Sequence, residues 1–339
     1  MSKQHFFNTS LKFCILGSGS WATALMKLLT SKQNSNVYWH IRSEETIAHI
    51  RKYGNNPKYL SSIRFDTSKF EMTSDVNRAL ELSNVVIVAI PAVFITETLA
   101  KVNVDMSHKF IVSAVKGIIP ELNKSVSEYF NAEYDIPFTQ LGVISGPCHA
   151  EEVALERLSY LTFSCKRKNL AELISKNLES PFLRIISSTD IYGSEYAAIL
   201  KNIYAIGAGI CHGLGYGDNY ISVFVSNSFE EMRRFLNDTN LSPRQTTRSA
   251  YLGDLLVTCY SQFSRNRALG TMVGKGYSVQ SATIEMSMVA EGYYASKCIH
   301  EINATRNVTM PIAETVFRIL HQNAHAHEEI KKLSNDVLL

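Results

Sequence analysis

The chain is 339 residues long, and at roughly 150 residues per domain this fits two domains with sizeable cores. Hydrophobic residues make up 45% and charged residues 19%, which excludes disordered and fibrous architectures. The 34 Lys and Arg against 31 Asp and Glu leave a formal charge of +3, too little to argue for nucleic acid or an anionic membrane as a bulk partner. Any need for positive charge has to be met locally.

The cysteines, at positions 14, 148, 165, 211, 259 and 298, show no CxxC pairing in a chain too long to need disulfide staples. Reduced thiols in a cytoplasmic protein are expected. The first ten residues hold the apolar pair Phe6 and Phe7 but no signal-peptide apolar region, and runs such as 85–90 have the length of a strand. A soluble protein without an integral membrane segment is the expectation.

Up to about residue 190, short β-branched runs alternate with segments of helical period. A strand at 13–16 precedes a helix over 20–29, and a strand at 37–41 precedes a helix over 44–53. Further strands are predicted at 85–90, 110–115, 141–144, 159–163 and 184–186. Continuous apolar strands separated by helices predict a largely parallel sheet covered on both faces. Several runs stop at Pro91, Lys116-Gly117 or Gly146-Pro147, and ligands collect at strand carboxyl ends in doubly wound sheets. Beyond residue 190 strand signals nearly vanish: 194–212 is one apolar-rich segment, and 219–236, 243–260, 278–289, 293–303 and 311–333 read as helices. Pro243 and Pro311 stand where first helical turns accept proline. The expected fold is an α/β Rossmann-like doubly wound domain over 1–190 and an all-α domain over 191–339, with a cleft between them.

Gly17-Ser18-Gly19-Ser20-Trp21-Ala22 follows a strand and opens a helix, which is the G-x-G-x-x-G/A form of a dinucleotide fingerprint. Gly17 permits the tight turn, Gly19 lets a pyrophosphate approach the backbone, and Ala22 lets the helix pack closely. The open N–H groups of that helix present partial positive charge to the phosphates. Glycines after strands are also ordinary turn residues, so the βαβ context carries the reading. At the end of the second strand, His40-Ile41-Arg42 offers a cation where NAD-selective sites place an acid. This favours NADPH, while Glu44 and Glu45 keep NADH open and Arg42 on a solvated loop is the bland alternative.

Three further clusters carry chemistry. Lys116 stands at a strand's carboxyl end in SAVKGI, and Lys201 lies inside an apolar helix segment, where burial lowers a lysine's pKa toward proton-carrying range. Asp254 sits in GDLLVTC, and Ser264-Arg265-Asn266 is a donor set suited to a phosphate oxyanion. Histidines at 321, 325 and 327 with Glu328 could share a helix face as metal ligands, but surface histidines on a polar terminal helix are commoner, so no metal is expected. Cys148 has no base paired with it by any motif and reads as a packed or substrate-lining thiol.

Taken in order, GSGSWATAL (17–25), SAVKGI (113–118), SGPCHAEEV (145–153), ILKNIYAIGAGI (199–210), GLGYGDN (213–219), GDLLVTC (253–259), SRNRALG (264–270) and VAEGYYA (289–295) closely resemble the bacterial type of NAD(P)-dependent glycerol-3-phosphate dehydrogenase. The resemblance spans about residues 11–330. It implies hydride exchange between NAD(P)H and dihydroxyacetone phosphate, yielding sn-glycerol 3-phosphate for glycerophospholipid synthesis, in a cytoplasmic homodimer. By motif, it implies Lys201 as the proton-transfer group and Lys116, Asn202 and Asp254 beside it. Gly146, Cys148, Thr258, Ser264, Arg265 and Asn266 become substrate contacts. Gly17, Gly19, Ser20, Trp21, Ala22, His40, Arg42, Lys116, Ala150, Arg265, Val289 and Glu291 become cofactor contacts. The departures are Ala22 in place of Gly, Cys148 in place of Ser or Thr, His149 in place of an apolar aromatic, and Tyr220-Ile221-Ser222 in place of small and basic residues. Cys is the weaker hydrogen-bond donor, which puts the 148 contact in question. Two alternatives stand beside this reading. One is a dehydrogenase of the same architecture for a hydroxyacid such as 3-hydroxyisobutyrate, 6-phosphogluconate or ketopantoate. The other is a nucleotide-sensing protein that has lost chemistry.

Overall fold

The structure is a computed structural model and describes residues 10–31, 36–238, 244–286 and 288–336. The first half alternates strands and helices. These are β1 (Lys12–Leu16), α1 (Ser20–Thr30), β2 (Asn36–His40), α2 (Glu44–Tyr53), β3 (Glu71–Thr73), α3 (Val76–Glu81), β4 (Val85–Val88), α4 (Ile95–Leu99), β5 (Phe110–Ser113), α5 (Val126–Tyr134), β6 (Leu141–Ser145), α6 (Ala150–Ala154), β7 (Ser159–Cys165), α7 (Lys168–Leu178) and β8 (Leu183–Ser188). The strands form one sheet in the order β3-β2-β1-β4-β5-β6-β7-β8. Burial on both faces explains the unbroken apolar runs. In β1, Phe13 and Ile15 pack with α1 residues in one core cluster, whereas Cys14 and Leu16 face a second cluster with α3 and α5 residues.

Strand order reverses between β1 and β4, which opens a crevice at the carboxyl ends of those two strands. β6 and β7 are antiparallel, the one reversal in an otherwise parallel sheet. The chain turns back through α6 instead of crossing over, so Gly146, Cys148 and Ala150 stay at the carboxyl end of β6. The three-residue β3, Glu-Met-Thr, is absent from the sequence expectation because so short a segment carries no readable alternation.

The second half consists of α8 (Ile191–Gly213), α9 (Asp218–Asn237), α10 (Asp254–Tyr260), α11 (Arg265–Gly274), α12 (Val279–Glu285), α13 (Glu291–Arg306), α14 (Pro311–His321) and α15 (Ala326–Asp336). α8 is buried over nearly its whole surface and packs against α9, α10, α11, α13 and α14, which accounts for its apolar residues on every side.

Four sequence expectations need correction here. Of the helix expected over 243–260, Pro243 lies outside the described residues; 244–248 is irregular, Ser249–Gly253 forms a π turn, and α-helix begins at Asp254. Side-chain tethers hold this irregular path: Arg244 Nε and the Tyr251 hydroxyl both donate to Asp190 Oδ2 at 2.7 Å. The helix expected over 278–289 stops at Glu285, and Met288–Ala290 runs non-helically into α13. The single helix expected over 311–333 is broken between His321 and Ala326, with Asn323 in the left-handed region at φ 56°. His321 and His325 therefore do not share a helix face, and His321 Nε2 lies 2.9 Å from Ser296 Oγ and 3.0 Å from the Tyr293 carbonyl. Finally, α11 was not expected as a helix, because its glycines depress propensity.

Those glycines have a packing reason. Gly209 and Gly213 on α8 face Gly270 and Gly274 on α11, each pair spaced by one helical turn. A Cβ on Gly270 would overlap the Ile206 carbonyl, and one on Gly209 would overlap the Arg267 carbonyl. The two backbones thus touch, which sets the N-terminus of α11 against the middle of α8. Gly270→Ala is expected to cost roughly 1–3 kcal/mol, the usual overpacking range, read as a lower urea midpoint. An unchanged midpoint would mean the seam has slack.

Candidate active site

The β1–α1 turn is shaped from both sides. Gly17 has φ +115° and a Cβ there would lie 2.6 Å from the Ala89 carbonyl oxygen, so only glycine fits this turn at the switch point. The Trp39 Nε1 donates to the Gly17 carbonyl at 2.7 Å, and Asn56 Nδ2 donates to the Ser18 carbonyl at 2.9 Å. Gly19 precedes α1, contributes no side-chain cap, and has nothing within 4 Å of where a Cβ would stand. Ala22 is fully buried beneath the helix. Space over Gly19, an uncapped helix start and a buried Trp21 Nε1 without a protein partner together fit a dinucleotide pyrophosphate.

A cavity of about 430 Å³ extends from this turn to the helical half. At its floor lies Asp254, the first residue of α10 and fully buried. Lys201 Nζ, from the middle of α8, donates to Asp254 Oδ1 at 2.5 Å and to Thr258 Oγ1 at 2.8 Å. Lys116 Nζ, from the loop after β5, donates to Asp254 Oδ2 at 3.1 Å and to the Gly146 carbonyl at 2.8 Å. Asn202 Nδ2 donates to the Lys116 carbonyl at 2.5 Å and steadies that loop. Burial acts against the Asp254 charge, but the Lys116 and Lys201 ammoniums outweigh it and hold the carboxyl below its ordinary range. Burial is also the largest influence on Lys201, with the Lys116 charge adding to it; against the support of Asp254, its pKa is pulled down to about 7. A lysine so placed exchanges protons near neutrality.

The opposite wall is built by α11. Ser264 caps that helix by accepting from Arg267 N at 3.2 Å, which leaves its hydroxyl proton to donate. Asn266 Oδ1 accepts from Gly292 N at 2.9 Å, which leaves its amide N–H groups. Arg265 stands between them, half-buried, with no ion pair among the described residues. These are the donors a phosphate would meet. Glu291, the first residue of α13, accepts from Ala92 N at 3.0 Å through Oε1, whereas its buried Oε2 has no partner. Gly117 leaves the room for that carboxyl, and burial lifts its pKa to about 7 despite the Ala92 hydrogen bond and the Arg265 charge. Burial pushes the Cys148 thiol up to about 12, which removes the thiolate that covalent catalysis would need.

Of the residues singled out from sequence, Gly19, Ser20, Trp21, Lys116, Cys148, Ala150, Lys201, Asn202, Asp254, Thr258, Ser264, Arg265, Asn266, Val289 and Glu291 line this one cavity. Gly17, Ala22 and Gly146 shape its walls from behind. His40 is buried, and burial lowers its pKa; Arg42 is exposed past the end of β2; neither lines the cavity. Tyr59, Phe94, Phe263 and Met288 also line it and were not singled out. Phe94 follows β4 at the switch point, and its topology was the one available signal.

A dinucleotide cradle at a switch point, opening onto a buried lysine–aspartate–lysine cluster, defines the class: an NAD(P)-dependent oxidoreductase of the two-domain kind. Comparison with known proteins narrows this. Residues 12–171 match the family model of the NAD-dependent glycerol-3-phosphate dehydrogenase N-terminus, and residues 190–331 match that of its C-terminus. Glycerol-3-phosphate dehydrogenase [NAD(P)+] of Listeria innocua is 35% identical over 327 residues, covering 96% of both chains. That of Macrococcus caseolyticus is 32% identical over 327 residues, covering 96% of this chain and 98% of its own. The crystal structure of glycerol-3-phosphate dehydrogenase from Coxiella burnetii superposes with a TM-score of 0.86 at 25% identity, covering 96% of this chain and 99% of that one. The chain belongs to the NAD-dependent glycerol-3-phosphate dehydrogenase family, and is an oxidoreductase acting on a CH–OH group.

Proposed function

We propose that the chain reduces dihydroxyacetone phosphate to sn-glycerol 3-phosphate, reversibly, with Lys201 giving and taking the proton. The observation that carries this is the Asp254 carboxylate shared by Lys201 and Lys116 at one end of a cavity whose other wall holds Ser264, Arg265 and Asn266. When bound, NAD(P)H supplies the hydride. Arg265, with the hydroxyl of Ser264 and the amide of Asn266, holds the phosphate and so fixes C2 beside Lys201. As C2 gains the hydride, its oxygen gains electron density and takes a proton from Lys201 Nζ, giving the CH–OH product and a neutral lysine. Asp254 stays ionised throughout. It keeps Lys201 and Lys116 in place while Lys116, tethered to the Gly146 carbonyl, orients the ketone.

In this reading residues 1–190 hold the cofactor and residues 191–339 complete the substrate side, although Lys116 and Cys148 reach the substrate from the first half. The product serves glycerophospholipid synthesis in the cytoplasm, and the protein works as a homodimer, which sedimentation at twice the chain mass would check. Among the described residues no helix is long and apolar enough to cross a membrane.

Purified protein should oxidise NADPH with dihydroxyacetone phosphate and not with dihydroxyacetone, because without the dianion the α11 donors cannot orient the ketone. Lys201→Met should lower kcat at least about a hundredfold while the cofactor still binds. Near-normal kcat in that variant would move proton transfer to another group, and equal rates with both ketones would remove the phosphate site.

Cofactor choice is read from Arg42, exposed beyond β2 where a ribose 2′-phosphate would lie. Arg42→Ala should raise KM for NADPH by roughly 10- to 100-fold, equivalent to about 1.5–3 kcal/mol for a charge-assisted contact, and leave NADH nearly unchanged. Equal changes for both cofactors would assign the ribose to another group.

A further inference from the structure

His149 is a cavity-lining polar side chain that the mechanism above does not use. It follows Cys148 at the carboxyl end of β6 and just precedes α6. Its ring packs against Phe263, with centroids 6.1 Å apart and planes tilted by 55°. Nε2 is fully covered and has no hydrogen-bond partner, and among the described residues no hydrogen bond engages Nδ1. A covered lone pair is tolerated more readily than a covered N–H, so the proton belongs on Nδ1, which leaves one neutral donor for a ligand.

Trp21 and Glu291, whose buried Nε1 and Oε2 have no protein partner, are cofactor contacts in the reading above, and most other polar groups of the cavity have a role or a partner. Lys201 and Lys116 face the ketone, and Arg265, Ser264 and Asn266 face the phosphate. Asn202 and Thr258 are held by protein partners. A three-carbon phosphoketone then has one polar group unaccounted for, the hydroxyl on the carbon opposite the phosphate. Burial, reinforced by the nearby Lys116, Lys201 and Arg265 charges, holds the His149 pKa down at about 4, so the ring stays neutral at working pH. A neutral donor suits a hydroxyl oxygen.

We propose that His149 is a specificity-determining residue that hydrogen-bonds the free hydroxyl of the substrate, so that the site selects a hydroxymethyl ketone over a methyl ketone. This rests on the phosphotriose reading above. In the alternative chemistry at this position, the buried Cys148 thiol is too weak a donor to serve instead.

The test compares kcat/KM for dihydroxyacetone phosphate and for hydroxyacetone phosphate, the same phosphoketone with a methyl group in place of the hydroxymethyl. Three proteins are assayed: the unaltered chain, His149→Phe, which keeps a ring against Phe263, and His149→Gln, which restores a neutral hydrogen-bonding group. NADPH binding followed by fluorescence verifies that each variant is folded. The unaltered chain should prefer dihydroxyacetone phosphate. His149→Phe should lower its kcat/KM about tenfold, the scale of one neutral hydrogen bond, and leave the methyl ketone within about threefold. His149→Gln should recover part of the loss. Equal effects of His149→Phe on both ketones, or no effect on either, would overturn the proposal, as would failure of both variants to bind NADPH. Turnover of neither ketone by the unaltered chain would instead remove the phosphotriose reading, and this proposal with it.

Discussion

A carboxylate out of water stays ionised only with positive charge beside it, and Asp254 is held between two ammoniums. It is fully buried, within 2.5 Å of one lysine nitrogen and 3.1 Å of the other. Removing Asp254 would leave two ammoniums facing each other in a poorly solvated site, and removing either lysine would take away part of what keeps the carboxylate ionised, so the cluster constrains three separate pieces of chain at once. Lys201 comes from the middle of α8, Asp254 from the start of α10 and Lys116 from the loop after β5. The cavity floor forms only when sheet and helices are docked together.

The rest of the helical half can be understood as what holds α8 in that position. Glycines on α8 and α11 let the two backbones touch, and Gly292 brings α13 against α8, where a Cβ would lie 2.5 Å from the Asn202 carbonyl. At its N-terminal end α8 is tied to the sheet half by the buried Glu195 and to the chain leading into α10 by the half-buried Asp190. Asp190 caps α8 at Gly193 N while accepting from Arg244 and Tyr251, which fix the π turn leading into Asp254. Glu195 on α8 accepts from Ser127 N at the start of α5, and Glu231 on α9 accepts from Ile312 N and Ala313 N at the start of α14. In both, a buried carboxyl meets the positive end of a helix, and burial raises its pKa to about 7. The fold thus uses one device twice, a buried acid on the open N–H groups of a helix start.

How much of this was legible in the sequence depends on whether the signal was periodic. The buried strands read in the right places because both of their faces are covered, so that 85–88 and 110–112 are unbroken apolar runs, although the expected ends at 90 and 115 overran Val88 and Ser113. α2 read to the residue, since Ser43 caps one end and Gly54 the other. β3 is too short to carry a pattern. α11 was hidden by glycines that serve packing, and the path from 244 to 253 is set by side-chain tethers to Asp190, far away in sequence. Within the site, the lysines pointed to proton chemistry and the motif order of a familiar family put Asp254 in the same pocket, but the convergence of both lysines on its carboxylate is visible only in the fold. Phe94 had only its place after β4 at the switch point, and Tyr59 and Phe263 gave no signal at all, because isolated aromatic residues on loops look like any other loop residue until the cavity they wall is known.

The central claim is that burial beside Asp254 makes Lys201 a proton carrier at neutral pH. Titration of 13Cε-labelled lysine by NMR, with the Lys201 resonance assigned by its loss in Lys201→Met, measures this directly. The unaltered protein should give a Lys201 pKa of about 7, well below the ordinary 10.5, and Asp254→Asn should lower it further, because the carboxylate supports the ammonium form. A pKa that stays near 10.5, or one that rises when Asp254 is neutralised, would contradict the account.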